Sequence, residues 1–233
     1  MGINENGYSS ILAIEPGTND NAECWRAVFV ELKRRGLDGE AVRVGIMDGL
    51  PGLERVFVEE FTKAVTARCW VHALRNAMAK TPARLRDAFK LLVQKVMYAK
   101  SEEDARQAFV ALKTAMQTDA TRAVNCIEKD LDSLLVHYRF EQRYWSALKT
   151  TNAIERINKE LKRRTKSMET LGELTLIAVV AFTALRLELG WRMHAVDSPV
   201  HGNLAKSPMR LLGAKKNNTN IVQEMIDSLE VIH

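Results

Sequence analysis

The sequence predicts an α/β fold that carries a large all-α insertion and C-terminal helices. Strand-like and helix-like segments alternate near its start, which is typical of an α/β core with at least one parallel pair of strands. Farther on, residues 53–171 contain no glycine and a single proline, Pro82, so little interrupts helix formation there. The 233 residues, of which 46% are hydrophobic, suffice for one elaborated domain or two small ones.

The alternating segments begin at residue 8. Residues 8–14 form a strand-like run, and a helical pattern at residues 21–35 ends at Gly36. Apolar and polar residues alternate at 42–46, which predicts a second strand that stops at Asp48. Pro51 suits the first turn of a helix at residues 51–63. A third strand is predicted at 65–71, and residues 1–76 are therefore assigned to a partial α/β core.

A helical block is predicted for residues 77–147, where apolar stripes recur at helical spacing. Ser101 precedes three acidic residues and is expected to begin one helix, because acids are favoured at the positive end of the helix dipole. Residues 148–195 are assigned to core helices, which include a very hydrophobic helix at about 170–190. A polar tail and a final amphipathic helix make up residues 196–233.

The net charge of +5 is concentrated in one helix. Residues 156–166 hold six basic residues and one acid, so this segment carries the whole excess. Such a distribution disfavours a uniformly basic coat and favours a local site for a polyanion. The structural alternative is a solvated helix face.

Membrane and secreted roles are not expected. Three cysteines, at positions 24, 69 and 126, do not describe a disulfide framework, so a reducing cytosol is the expected compartment. The longest near-apolar run, at residues 174–185, is too short to cross a bilayer, and no secretory leader precedes it.

Two carboxylates occupy positions suited to catalysis. Asp48 ends a predicted strand, where open α/β sheets place catalytic groups, although a turn aspartate is the structural alternative. Glu155 lies three residues after Asn152, so a capping box is its structural alternative. Glu155 also heads the basic row, and Lys162 returns to the same helix face two turns later. A carboxylate followed by cations suits a ligand that bears both metal and phosphate.

Cys69 and His72 form a Cys-x2-His pair at a strand-to-helix junction. Zinc needs three or four ligands and no second closely spaced pair follows, so buried packing with a local hydrogen bond from His72 is favoured. Trp145, ten residues before Glu155, could stack on an unpaired base, but core packing is the favoured alternative.

The string TTNAIERIN at residues 150–158, which continues as KELKRRTK to residue 166, closely resembles the signature of the Mutator-type prokaryotic insertion-sequence transposases. The Asp48-Gly49-Leu50 strand end and the string CWVHALRN at residues 69–76 match that family in the same order. A similar helical insertion precedes the glutamate. The resemblance covers about residues 5–195.

This resemblance implies a ribonuclease-H-like mixed-sheet core and a D-D-E catalytic set that binds two Mg²⁺ or Mn²⁺ ions. Such ions activate a water or a 3′-hydroxyl and stabilise the oxygen that leaves the scissile phosphate. Asp48 corresponds to the second aspartate and Glu155 to the glutamate, while Cys69 and His72 belong to the family motif without an assigned role. The residues expected to contact DNA are Trp145, Asn158, Lys159, Lys162, Arg163, Arg164 and Lys166.

The family's first aspartate has no counterpart in the sequence. Only residues 1–7 precede the first strand-like run, and neither Glu5 nor Glu15 occupies an equivalent place. Residues 2–7 resemble the end of a hairpin that turns at Asn6-Gly7. Because the family's N-terminal DNA-recognition region is absent too, the chain is expected to be an N-terminally truncated transposase that is nearly inactive alone. It is expected to come either from a truncated or decayed gene copy or from one fragment of a split reading frame.

The expected partner is double-stranded DNA, namely the terminal inverted repeats of an insertion sequence and its target, bound by a homodimer or a higher assembly. The expected location is the cytoplasm of a prokaryote, at the nucleoid. A non-catalytic DNA-binding remnant is the alternative function, in which the basic helix binds phosphates and the carboxylates only cap and turn. A nuclease built on the same core is a third possibility, because a fold does not determine function.

Overall fold

A computed structural model of the chain describes residues 1–13, 21–165, 178–183 and 185. Several predicted features lie outside these residues: the end of the first strand, Glu15, Lys166, most of the hydrophobic helix and the final amphipathic helix. Residues 178–183, within the predicted hydrophobic helix, are helical. The described residues form many helices and two small sheets, which is consistent with an α/β fold.

The chain begins with a short antiparallel hairpin. Strand β1 (Gly2–Ile3) pairs with β2 (Ser9–Ser10). Gly7 adopts a φ of 82° in the turn, a conformation that glycine tolerates best, and the Asn4 side chain accepts hydrogen bonds from the backbone N–H groups of Asn6 and Tyr8. The predicted turn at Asn6-Gly7 is therefore confirmed, whereas the strand predicted at residues 8–14 is only two residues long in the described part.

The second sheet contains the predicted parallel pair. Helix α1 (Ala22–Arg34), capped by the Asn21 side chain, precedes β3 (Val44–Met47), and α2 (Pro51–Glu60) connects β3 to β4 (Val65–Arg68). The strands pair in parallel with Val44 opposite Val65 and Met47 opposite Arg68. The rings of Phe29, Phe57 and Phe61 pack together, with centroids 4.9–5.8 Å apart, and this cluster joins both helices to β3.

A larger core lies within the helical block. It is built from α3 (Trp70–Ala79), α4 (Arg86–Met97), α5 (Glu102–Met116) and α6 (Thr121–Leu134). Ser101 begins α5 as predicted, since its hydroxyl accepts the N–H of Asp104. Helix α3 joins this core from Trp70 onward, so the third strand ends at Arg68 rather than at residue 71. The domain boundaries at residues 76, 147 and 195 stay predictions.

Trp70 connects the parts of the structure. Its side chain is fully buried, and its indole N–H donates a hydrogen bond of 2.9 Å to the Leu134 carbonyl at the end of α6. Its backbone N–H donates to the Lys149 carbonyl, just after the short helix α7 (Trp145–Leu148). The start of α3 is thereby tied both to α6 and to the segment that leads into α8 (Asn152–Thr165).

Helix α8 packs on the N-terminal hairpin. The helical spacing of Ile154, Ile157 and Leu161 predicts an apolar face for this helix. Ile157 is buried and contacts Met1, Ile11 and Leu161, which confirms two of these three positions. The third, Ile154, is 41% exposed. The packed face is therefore narrower than the sequence pattern indicates.

His137 is a buried histidine in the 3₁₀ turn Val136–Arg139 that follows α6. Its Nδ1 lies 2.9 Å from the Leu134 carbonyl oxygen, the same atom that accepts the Trp70 indole N–H. Burial, assisted by the nearby charge of Lys149, lowers the pKa of His137 to about 4. The folded protein therefore keeps this imidazole neutral under conditions in which an exposed histidine is protonated.

We expect His137 to make the protein acid-sensitive. Between about pH 6.5 and pH 4 the unfolded chain takes up a proton on this side chain and the folded chain does not. The free energy of unfolding should therefore fall as the pH drops through this range, by roughly 3 kcal/mol at about 1.4 kcal/mol per pKa unit. Urea denaturation at a series of pH values should show this loss in the wild type. In His137→Gln the part of the loss that comes from this side chain should be absent, and the part from carboxylates of lowered pKa such as Glu60 and Glu160 should remain. An identical pH slope in the two proteins would contradict the assignment.

Candidate functional site

Asp48 lies at the carboxyl end of the parallel sheet. It follows Met47, the last residue of β3, and is exposed. Beside it, the backbone N–H of Cys69 donates a 2.9 Å hydrogen bond to the Met47 carbonyl, directly after β4. Asp48 and Cys69 therefore leave the sheet side by side, at the edge where open α/β sheets bind ligands.

The turn after Asp48 is covered by an arginine. Gly49 has a φ of 92°, and a Cβ atom at this position would lie 0.9 Å from Nη1 of Arg68. The Arg68 Nε atom in turn lies 3.3 Å from Oδ2 of Asp130 on α6. This contact joins the turn to the helical block, and a side chain at position 49 would displace the end of the Arg68 side chain.

Glu155 points from α8 toward α3. Its Oε1 atom lies 3.5 Å from Nε2 of His72 and 3.6 Å from Nη2 of Arg75. This oxygen is buried but has no hydrogen-bond partner. Since buried polar atoms are usually hydrogen-bonded, the orphaned oxygen has the capacity to bind a further group.

The capping box considered for Asn152 and Glu155 does not form. Helix α8 begins at Asn152 itself, and the Glu155 backbone N–H donates to the carbonyl of Thr151, 3.1 Å away. Glu155 is thus one position too far along the helix to reach back to a cap. Its carboxylate is turned toward His72 and Arg75 instead.

The Cys69 and His72 side chains both contact Thr151. The buried Cys69 Sγ atom lies 3.3 Å from the backbone nitrogen of Thr151 and 3.3 Å from its Oγ1 atom. The same Oγ1 lies 3.4 Å from His72 Nδ1. Within the described ranges, no group of three or more His, Cys, Asp or Glu side chains is arranged to hold a metal ion.

The basic face of α8 divides into exposed lysines and paired arginines. Asn158, Lys159 and Lys162 are exposed. Arg163 and Arg164 bind the carboxylate of Glu160, which lies on the same helix, at nitrogen–oxygen distances of 2.7–3.1 Å. Among the described residues of this row, the lysines are therefore the cations that are presented most directly to a polyanion.

Trp145 lies in an aromatic cluster with His137 and Tyr138. Its indole N–H donates to the Phe140 carbonyl, 2.8 Å away, and its ring meets the Tyr138 ring edge-on at 4.7 Å and the His137 ring at 5.8 Å. This packing fits the alternative of core packing, and the indole N–H already donates a hydrogen bond within the protein. Stacking of Trp145 on a DNA base stays a prediction that this contact set does not favour.

The sequence did not identify Thr151, Arg68 or Asp130 as parts of the site. Thr151 lies in the quoted TTNAIERIN string, but no local spacing rule connects it to Cys69, which is 82 positions earlier. Arg68 and Asp130 come from a strand and a helix that meet only in the folded chain. Arg75 lies one turn beyond His72 on α3, a spacing that places both on one face.

Comparison with known proteins adds a family match. The family model described as Transposase, Mutator family matches residues 1–179. The chain is 27% identical over 199 residues to the transposase for insertion sequence element IS6120 of Mycolicibacterium smegmatis, covering 85% of this chain and 61% of that relative. It is 31% identical over 170 residues to the transposase for IS1201 of Lactobacillus helveticus, covering 71% of this chain and 44% of the relative.

A third relative, the transposase for IS905 of Lactococcus lactis, is 28% identical over 166 residues, which are 71% of this chain and 42% of the relative. The chain thus spans between 42% and 61% of the length of these three relatives. Among the residues that the structure describes, no helix has the length and apolar character needed to cross a membrane.

We expect Gly49→Ala to destabilise the protein more than Gly36→Ala. Both glycines have a positive φ, of 92° and 103°, so both alanines carry the backbone strain of about 1–2 kcal/mol. Only at Gly49 does the new methyl group also push the Arg68 guanidinium away from Asp130, because nothing lies within 4 Å at Gly36. Urea denaturation should show an additional loss of up to about 1 kcal/mol for Gly49→Ala, because the displaced group is the ion-paired end of a flexible side chain. Equal losses would show that the arginine contact contributes nothing.

Proposed function

Because the chain belongs to the Mutator family of transposases, we propose that it acts in DNA transposition. The proposed reaction is metal-dependent cleavage of the phosphodiester at the ends of an insertion sequence, followed by transfer of the cut strand to a target. A ribonuclease-H-like core is part of this proposal, and the parallel β3–β4 pair with a carboxylate at its end supports it. The relatives are named transposases for insertion sequences.

One observation carries the proposal: both predicted metal-binding carboxylates are linked to the same edge of the sheet. Asp48 follows Met47, whose carbonyl accepts the N–H of Cys69. The Cys69 sulfur accepts from Thr151, and the Thr151 carbonyl accepts the N–H of Glu155. A short series of direct contacts therefore connects the end of β3 to the glutamate on α8.

The two carboxylates fit the chemistry of a magnesium or manganese site. Carboxylate oxygens are preferred ligands of Mg²⁺, and the buried, unpartnered Oε1 of Glu155 suits a group that binds a cation. Asp48 and Glu155 would hold the ions together with a further ligand that the described residues do not supply. Bound ions would activate the attacking hydroxyl and stabilise the leaving oxygen.

The chain's own cations would bind and orient the DNA backbone. Lys159 and Lys162 extend from the exposed side of the helix that carries Glu155, so phosphates held there lie next to the carboxylate. Arg75, whose side chain is 61% exposed, stands beside Glu155 on α3 and offers a further contact. The proposed partners are terminal inverted repeats and a target duplex in a prokaryotic nucleoid, on which two or more copies assemble.

Exposed lysines of α8 should govern the affinity for DNA. Lys159→Ala and Lys162→Ala should each weaken binding to duplexes of any sequence and lower the slope of log affinity against log salt by about 1, because each variant loses one phosphate contact. Fluorescence anisotropy at several salt concentrations measures both quantities. Lys90→Ala, an exposed lysine of α4, is the matched control and should leave the slope unchanged. An equal effect of Lys90→Ala would argue against a local site.

Asp48→Asn and Glu155→Gln should abolish metal-dependent cleavage without weakening DNA binding. We expect losses of at least about 100-fold in strand cleavage with Mg²⁺ or Mn²⁺, since each variant removes a charged ligand of the ions. The assay uses the chain alone and a chimera in which the IS6120 relative supplies the part of its length that the match leaves uncovered. Asp87→Asn, an exposed aspartate at the start of α4, is the control. Full activity in either site variant would favour the non-catalytic DNA-binding alternative.

A further inference from the structure

We propose that His72 and Thr151 are positioning residues that orient the Glu155 carboxylate, with Cys69 as their buried anchor. The proposal rests on the proposed function, because it assigns Glu155 as the carboxylate that must be held in place for a divalent cation. It gives the Cys69-x2-His72 motif a role without a bound zinc ion.

The buried end of the cluster is Cys69. Its side chain is fully inaccessible to solvent, and its sulfur receives the backbone N–H of Thr151 at 3.3 Å. A sulfur in this place fixes the backbone of Thr151, the residue that immediately precedes α8. Since Cys69 is itself held to the end of β3 by its own N–H, the start of α8 is fixed relative to the sheet edge that carries Asp48.

The hydroxyl of Thr151 lies between Cys69 and His72 and contacts both side chains. Oγ1 lies 3.3 Å from Cys69 Sγ, to which its hydroxyl can donate, and 3.4 Å from His72 Nδ1, where the direction depends on the tautomer of the imidazole. The Glu155 carboxylate that faces Nε2 favours an N–H there, and this tautomer leaves Nδ1 as the acceptor of the hydroxyl hydrogen. With the hydroxyl proton directed at Nδ1, the neutral imidazole carries its proton on Nε2. That N–H faces Oε1 of Glu155, 3.5 Å away. The reverse tautomer would direct a lone pair at the carboxylate.

The contact between His72 and Glu155 orients the carboxylate but leaves the lone pairs of Oε1 available to another group. At 3.5 Å from His72 and 3.6 Å from Arg75, Oε1 is attracted by both side chains but forms a hydrogen bond with neither. Its lone pairs therefore stay available to a cation. Carboxylates that bind metals are commonly oriented by neighbours of this kind, and loss of such a neighbour typically weakens metal binding about 10–100-fold.

The exposure of each side chain decides which residue can be substituted to test the positioning role without unfolding the protein. Cys69 is buried, so its replacement would disturb folding, and it makes a poor test. His72 is 23% exposed, so substitutions there can be tolerated. The amide nitrogen of Gln can replace the Nε2 donor of histidine, whereas the shorter Asn can replace only the Nδ1 side. His72→Gln and His72→Asn therefore form a matched pair that differs in the contact with Glu155.

The first measurement is the tautomer of His72, which requires neither metal nor activity. Imidazole ¹⁵N NMR near pH 8, with the His72 signals identified by their loss in His72→Gln, should show the proton predominantly on Nε2. Thr151→Val, which keeps the backbone contact with Cys69 and loses the hydroxyl, should lower the fraction of the imidazole that is protonated on Nε2; Thr151→Ser should retain the wild-type fraction. A proton on Nδ1 in the wild type, or an unchanged preference in Thr151→Val, would overturn the proposal.

The second measurement is Mn²⁺ binding by calorimetry to the 233-residue chain. His72→Asn should bind Mn²⁺ about 10–100-fold more weakly than the wild type, whereas His72→Gln should keep most of the wild-type affinity. The wild type and both variants should unfold at the same urea concentration. Equal affinities in all three proteins would overturn the positioning role. A wild type that binds no Mn²⁺ would instead overturn the proposed metal site, and the tautomer then decides alone whether His72 orients Glu155.

Discussion

The junction between β4 and α3 is the constraint on which the rest of the structure depends. There Cys69 and Trp70 form hydrogen bonds to the end of β3, to the end of α6 and to the segment between α7 and α8. The sheet, the helical block and the helix with Glu155 thus meet at two consecutive, fully buried residues. Any shift of this junction would move Glu155 relative to Asp48, because Cys69 contacts both Met47, the neighbour of Asp48, and Thr151, whose carbonyl accepts the N–H of Glu155.

Local patterns predicted much of the fold. The helix start at Ser101 depends on residues within a few positions of one another, and the parallel pair of strands follows from the order strand, helix, strand; the structure confirms both. The length of the third strand was not predictable in this way. The neighbours of Trp70 in the sequence predict a strand, but Trp70 packs in the core of the helical block and is the first residue of α3. Tertiary packing there overrides a local preference.

The candidate site was predictable as a set of residues and not as a set of contacts. Charge counting located the basic face of α8, and spacing alone can pair Glu160 with arginines three and four positions later. The contact between Thr151 and Cys69 closes a loop of 82 positions, which no periodicity encodes. The sequence thus named Cys69 and His72 as notable, whereas only the folded chain connects them to Glu155.

The carbonyl of Leu134 accepts both the indole N–H of Trp70 and the imidazole of His137, so a single oxygen serves two side chains from different parts of the chain. Carbonyls at the end of a helix lack partners within the helix, and this one is satisfied twice by groups that arrive from outside α6. Local opening of α6, of the start of α3 or of the turn after α6 breaks a bond at the same atom. We therefore expect these three segments to open as one cooperative unit.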